Sequence, residues 1–345
     1  MNDQTNESIQ PALETLSGLS ITPPIIGRIS IGGVDADFVP YMDNEIHITS
    51  LVQKPDYSWI SHPVEDTVRT SQKIEANKKL QSIPVRLMYN DPNLSFSSRF
   101  LAFEANTGRV LCHGNNGKAV RNQDGSPEEY TCPGSEQCDF GLQSGCKPHG
   151  RLFVQIEGQE DYLGLFVHRT SGLNTTRYLS SRLIQMSNMM KGKIAGFPLS
   201  LVMRSKTSHL TGGNIIFLDL EFRRGMSIKD MKASQVAYLQ DWDDMGWDRK
   251  SFEDGVRTAL LSSRVSEIDQ DDGVAILAEF YSKNSSGTQK KEKEKAAGAK
   301  REHRGPPASN TLADLASKIK LEVEASKPTK TDSDDQAQEE ELELT

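Results

Sequence analysis

The strongest constraint on how this chain can fold is a series of short stretches in which apolar residues recur at every second position. PPIIGRISIGG, EIHITSLV, IPVRLMYN, SRFLAFEA and GRVLCHGN follow one another from residue 23 to 115, and GRLFVQIEG and YLGLFVHRT follow from 150 to 170. Each is closed by Gly, Pro, Asn or Asp, and a period of two bounded by turn formers predicts strands with one face buried. PLSLVMRSK and NIIFLDLEF, joined by the turn-like HLTGGN, add two more. Sheets from such short, closely spaced strands pair mostly antiparallel, because parallel pairs need long crossovers.

Helical spacing enters in other places. PVEDTVRTSQKIEANKKL, residues 63–80, predicts a helix ahead of Pro84. Asn174 and Thr175 are N-cap candidates for a helix whose Leu179, Leu183, Met186 and Met190 form one stripe ending at Gly192. Its methionines read as adaptable core filler. Ser227 and Asp230 have the spacing of a capping box before a helix through about Leu239, and Asp248 opens another through Leu261. The expected fold class is α+β: a mostly antiparallel sheet body with a loop insert, and helices concentrated after residue 172.

At 345 residues the chain can bury a core without crosslinks. The N-terminal stretch is polar and no uncharged apolar run is long enough to cross a bilayer, so the expectation is a cytoplasmic protein with no membrane partner. Residues 1–22 read as a flexible arm and 23–281 as the body, with a metal-binding insert at 105–155. Residues 282–309 are polar and charge-dense, a disordered linker that cannot bury enough surface to offset its ordering entropy. Periodicity returns over 310–326, where Leu312, Leu315, Ile319 and Val323 line one side of a short amphipathic helix suited to partner docking or left marginal in isolation. Residues 327–345 form an acidic tail.

The formal net charge of −8 argues against a dedicated duplex-DNA binder. Its distribution is uneven: residues 151–225 carry ten Lys/Arg against five Asp/Glu, and 227–281 carry six against twelve. Arg177, Arg182, Lys191, Lys193, Arg204 and Lys206 are candidate phosphate contacts if they share a face, and solvated charges if they do not.

All four cysteines, Cys112, Cys132, Cys138 and Cys146, fall within 35 residues. In a reducing compartment such clustering favours metal over disulfides. Thiolates suit structural zinc, and Gly134, Gly141, Gly145, Pro133 and Pro148 allow the turns that gather sulfurs and point N–H groups at them. The spacing is not the paired CxxC pattern, so unligated thiols, a redox pair, and a shell borrowing His113 or His149 remain open. Four thiolates would leave no position for a reactive water.

Other chemistry is absent from the sequence. Gly114–Lys118 lacks the full phosphate-loop spacing, with Ala119 where a hydroxyl is needed, and reads better as an Asn-Gly turn. No nucleophile elbow and no zinc-protease motif occurs. The aspartates of DWDDMGWD do not follow a calcium loop and read as helix-end caps, with Trp242 and Trp247 as packing aromatics.

The order of these segments resembles the recombination directionality factor-like family of phages and integrative elements, over residues 24–225. IPVRLMYNDPNLSFSSRFLAFEANTGRVLCHGNNGKAV resembles its strand block ending in a cysteine-glycine turn, TCPGSEQC…GCKPHGRLFVQI its metal-binding insert, and LFVHRTSGLNTTRYLSSRLIQM…GFPLSLVMRSK its turn, helix and strand. The resemblance implies that Cys112, Cys132, Cys138 and Cys146 occupy ligand positions. It also implies a non-catalytic accessory protein of mobile-element recombination, acting by protein contact with an integrase or another recombination protein, and touching DNA weakly or indirectly. The alternative expectation is an accessory protein of homologous recombination that binds single-stranded nucleic acid.

Overall fold

The computed structural model describes residues 23–34, 40–55, 58–105, 107–115, 117–123, 126–208, 212–261 and 270–280. The N-terminal arm, the linker, the helix expected over 310–326 and the acidic tail lie outside these residues. Everything below concerns the unit Met1–Glu292.

The strands are β1 (Ile25–Val34), β2 (Pro40–Gln53), β3 (Trp59–Ser61), β4 (Ser82–Arg86), β5 (Phe96–Phe103), β6 (Val110–Gly114), β7 (Lys118–Gln123), β8 (Ser126–Thr131), β9 (Lys147–Ile156), β10 (Leu165–Thr170), β11 (Leu199–Thr207) and β12 (Asn214–Phe222). Nine of them run β3-β2-β1-β10-β9-β5-β6-β7-β8. β4, β11 and β12 form a second leaf that joins through β4 to β9. The pairing is antiparallel except between β1 and β10.

The arrangement turns on β9. One of its edges pairs with β10. Along the other, Lys147 to Leu152 pair with β5, while Gln155 and Ile156 pair with β4. Two leaves therefore diverge from one strand, and the main core fills the space between them: Ile29, Ile46 and Ile48 from one side, Leu199, Leu201, Leu218 and Leu220 from the other. Leu152, Val154 and Ile156, at alternate positions of β9, enter this core.

The helices are α1 (Val64–Ser71), α2 (Pro92–Ser95), α3 (Asp139–Gln143), α4 (Leu173–Met189), α5 (Ile228–Asp244), α6 (Arg249–Leu261) and α7 (Gln270–Phe280). In α4, Leu179, Leu183 and Met186 enter the main core as the spacing predicts. Its start differs from the sequence reading. Gly172 is the N-cap and no side chain caps the helix. Asn174 and Thr175 are engaged elsewhere: Asn174 Oδ1 accepts from Lys206 Nζ (2.6 Å) and Thr175 Oγ1 from the Leu218 amide (3.3 Å).

Ser227 does cap α5, accepting from the Asp230 amide and donating to its carboxylate at 2.7 Å. The helix runs past Leu239 to Asp244 because Trp242 is buried against Tyr238, Trp247 and Phe252, extending the apolar stripe by a turn. Asp248 caps α6 through the Lys250 and Ser251 amides. The helix expected over 63–80 stops at Ser71, where Lys73 adopts φ 55°. The insert at 105–155, expected as a loop, is largely a three-strand meander, β6-β7-β8, with α3 after it.

Buried histidines give the fold a pH dependence. His168 is 3 % exposed, and its Nδ1 pairs with the Ile29 carbonyl at 2.9 Å, so Nδ1–H donates. Burial pushes its pKa down to about 4, and burial with Arg151 and Arg169 nearby pushes His149 down to about 3. An unfolded histidine titrates near 6.5, so between that pH and these values the unfolded chain binds more protons. Stability is fully present above about pH 6.5 and falls below it by ~1.4 kcal/mol per pH unit for each histidine. Urea unfolding at pH 7 and pH 5 should show this loss, and equal stability at both pH values would contradict it. At the core, Phe166→Ala should cost about 3–5 kcal/mol by the same measurement, since Phe166 is 0 % exposed.

Candidate metal centre

The four cysteines reach one place from four directions. Cys112 lies within β6, paired across the ladder with Arg121 of β7. Cys132 follows β8, its amide held by the Gly117 carbonyl at 3.0 Å. Cys138 is the N-cap of α3, its sulfur accepting from the Gly141 amide at 3.3 Å. Cys146 precedes β9, tied back by a 2.8 Å bond from its amide to the Gly141 carbonyl. Gly134 and Gly145 adopt φ 93° and 66°, the left-handed turns that the glycine content predicts.

All four line a single small cavity of about 20 Å³, closed by Phe100, Phe140 and Arg121. That volume admits about one water-sized sphere. Among the described residues, no three His, Cys, Asp or Glu side chains stand as a ready-made ion shell. The sulfurs thus share a cavity of ionic size without closing on its centre. His113 and His149 do not line it. His113 lies beside Arg99, with Nδ1 at 3.5 Å from its guanidinium, and the His149 ring meets Phe280 edge-on.

The cavity disfavours thiolates when only protein surrounds them. Burial, then the neighbouring Cys112, Cys132 and Cys138, pushes the Cys146 thiol up to about 12. Burial raises Cys112 too, opposed by a hydrogen bond and the charge of Arg121. That guanidinium sits 4.0 Å from the Phe140 ring centroid and 4.4 Å from that of Tyr130, a cation between two π faces. Sequence reasoning missed Arg121. Its signal is topological, since a turn after Cys112 brings Arg121 opposite it, and no spacing within the cysteine cluster reveals that.

Of the basic candidates, Arg182 and Arg204 come together on one carboxylate. Arg182 grips the buried carboxylate of Asp219 through two bonds of 3.1 Å, and Arg204 reaches Asp219 at 3.2 Å and Glu221 at 2.5 Å. Lys206 is bonded to Asn174. Arg177, Lys191 and Lys193 are exposed. The docking set Leu312, Leu315, Ile319 and Val323 lies outside the described residues.

No helix among the described residues is long and apolar enough to cross a membrane. No curated protein and no solved structure matches the chain significantly. A family model does, described as Gp3-like, recombination directionality factor-like, over residues 26–223. That span runs from β1 to the residue after β12 and takes in both leaves and all four cysteines. The chain belongs to the Gp3-like, recombination directionality factor-like family.

Proposed function

We propose that this protein is a non-catalytic accessory factor of mobile-element recombination, stapled by one structural zinc ion, that works by binding an integrase or another recombination protein. Family membership supports the recombination role. The observation that carries the zinc reading is the meeting of all four cysteines on one ion-sized cavity. Four sulfur donors fit a tetrahedral zinc shell, and the burial that raises the thiols is the cost a divalent cation would offset.

Zinc bound there would supply a crosslink and no reaction. Cys112, Cys132, Cys138 and Cys146 would hold it, joining β6, the end of β8, α3 and the start of β9. Arg121 would offset part of the negative charge of four thiolates around a divalent ion. The beneficiary is the meander β6-β7-β8, which continues the sheet outward from β5 and makes few buried contacts of its own: β8 is exposed along nearly its whole length. Such a rigid projection is suited to meeting a partner. No side-chain set with the geometry of an acid, base and nucleophile is needed for that role.

Protein purified without chelators should contain about one zinc per chain by elemental analysis. Cys138→Ser should lower both metal content and melting temperature, and metal-free wild-type protein would overturn the reading. Arg121→Gln should weaken zinc binding by about tenfold to a hundredfold, read by competition with a chromogenic chelator. Co-purification with the integrase of the same element tests the partner: capture by wild-type protein, weakened by Cys138→Ser, is the expected result.

A further inference from the structure

The face of the sheet away from the main core carries a row of cations. Arg151 of β9 stands directly opposite Arg169 of β10. On the other side of β9, His149 stands opposite Arg99 and Lys147 opposite Leu101. Residues opposed across a ladder share a face. Arg28 of β1 is registered with Val167, two positions before Arg169, which places Arg28 on that face as well.

Opposed like charges are unfavourable, and Arg28, Arg151 and Arg169 are only 5 %, 8 % and 7 % exposed. A buried row of this kind requires anions against it. The end of α7 supplies one group after another. Glu279 accepts from Arg28 at 2.6 Å, and its carboxylate also feels Arg169. The Phe280 carbonyl accepts from Lys147 Nζ at 3.2 Å. The Phe280 ring meets His149 at 5.9 Å, nearly perpendicular. An acid and an aromatic ring on consecutive residues thus occupy the cationic face.

Beside them is a cavity of about 570 Å³, lined by Glu279, Phe280 and Arg169 together with Tyr41, Ile215 and Ile216. Pockets of about 300–1,000 Å³ hold small ligands. The attachment of α7 is modest: Ile276 is buried among Leu101, Phe103 and Val110 in a cluster separate from the main core. Helices held by small satellite clusters open at lower cost than the core.

We propose that this cationic face and its cavity bind single-stranded nucleic acid, with the end of α7, Glu279–Phe280, as the built-in occupant that the strand displaces. Phosphates would replace Glu279 along Arg28, Arg169 and Arg151, and an unstacked base would enter beside Tyr41 and the two isoleucines. A row of cations crossing β1, β10, β9 and β5, strands about 4.8 Å apart, matches charge repeated along a chain. A cavity with room for one base and apolar walls favours an unpaired strand over a duplex, whose bases stay stacked. This site shares no residue with the cysteine centre, so it stands or falls independently of the zinc reading.

The test uses the full chain, fluorescein-labelled oligo-dT and anisotropy at two salt concentrations. Wild-type protein should bind weakly and lose affinity steeply with salt. Glu279→Gln, which loosens the occupant, should tighten binding about tenfold. Adding Arg151→Gln and Arg169→Gln should remove that gain. Hydrogen exchange of the wild-type protein should show α7 amides exchanging faster at saturating oligo-dT, a readout that stands even if a variant misfolds. Unchanged α7 exchange at saturating oligo-dT overturns the proposal. So does equal affinity with and without Arg151 and Arg169, an equal preference for duplex, or displacement of α7 by an acidic peptide and not by DNA.

Discussion

The pairing of β9 with two strands along one edge is the constraint on which this molecule depends. An edge shared by β5 and β4 cannot continue as one flat sheet, so the two leaves part and enclose the main core. The same strand begins one residue after Cys146, which fixes the inner wall of the sulfur cavity relative to the sheet. Its alternation then sends Leu152, Val154 and Ile156 into the core and Lys147, His149 and Arg151 to the opposite face. Core, cysteine centre and cationic row are three consequences of where one strand lies.

Electrostatics inside the body follow the same economy. Asp219 is 1 % exposed and would be costly alone, yet Arg182 from α4 and Arg204 from β11 both converge on it. Arg86 and Arg223 share Glu157 in a similar way, joining β4 to the end of β12. Much of the positive charge in 151–225 is therefore spent on holding the second leaf and α4 together. A second group of cations lies on the sheet face of β1, β10, β9 and β5, and three of them, Arg28, Arg99 and Lys147, fall outside that basic stretch altogether.

How much was legible in the sequence depended on the range of the physics involved. Local rules worked well: period-two stretches became strands, Ser227 and Asp248 became caps, the Asn115–Lys118 turn closed as expected, and Trp242 entered a packed cluster. Local rules also misled when tertiary partners competed. Asn174 and Thr175 are good N-caps in isolation, but β11 and β12 recruit their side chains. The meander after Cys112 and helix α7 were missed because their patterns are weak: SPEEYT of β8 has almost no apolar face, and QDDGVAILAEF of α7 follows a polar run without a clear start. The four cysteines were readable as a set, whereas Arg121 and the opposed Arg151 and Arg169 required register, which composition does not encode.

The parallel union of β1 with β10 has a further consequence, for synthesis. Some 140 residues separate Ile29 from His168, so the partner of β1 along that edge emerges from the ribosome long after β1 itself. Until then β1 can satisfy only its β2 side, leaving a row of unpaired amides and carbonyls open to any other extended chain. Long-range closures of this kind are slow, and the hairpin β1–β2 must survive the wait. Gly27 lies within that waiting stretch, where its missing side chain later leaves room for the Phe166 ring of β10, and a glycine there makes the edge a less inviting template.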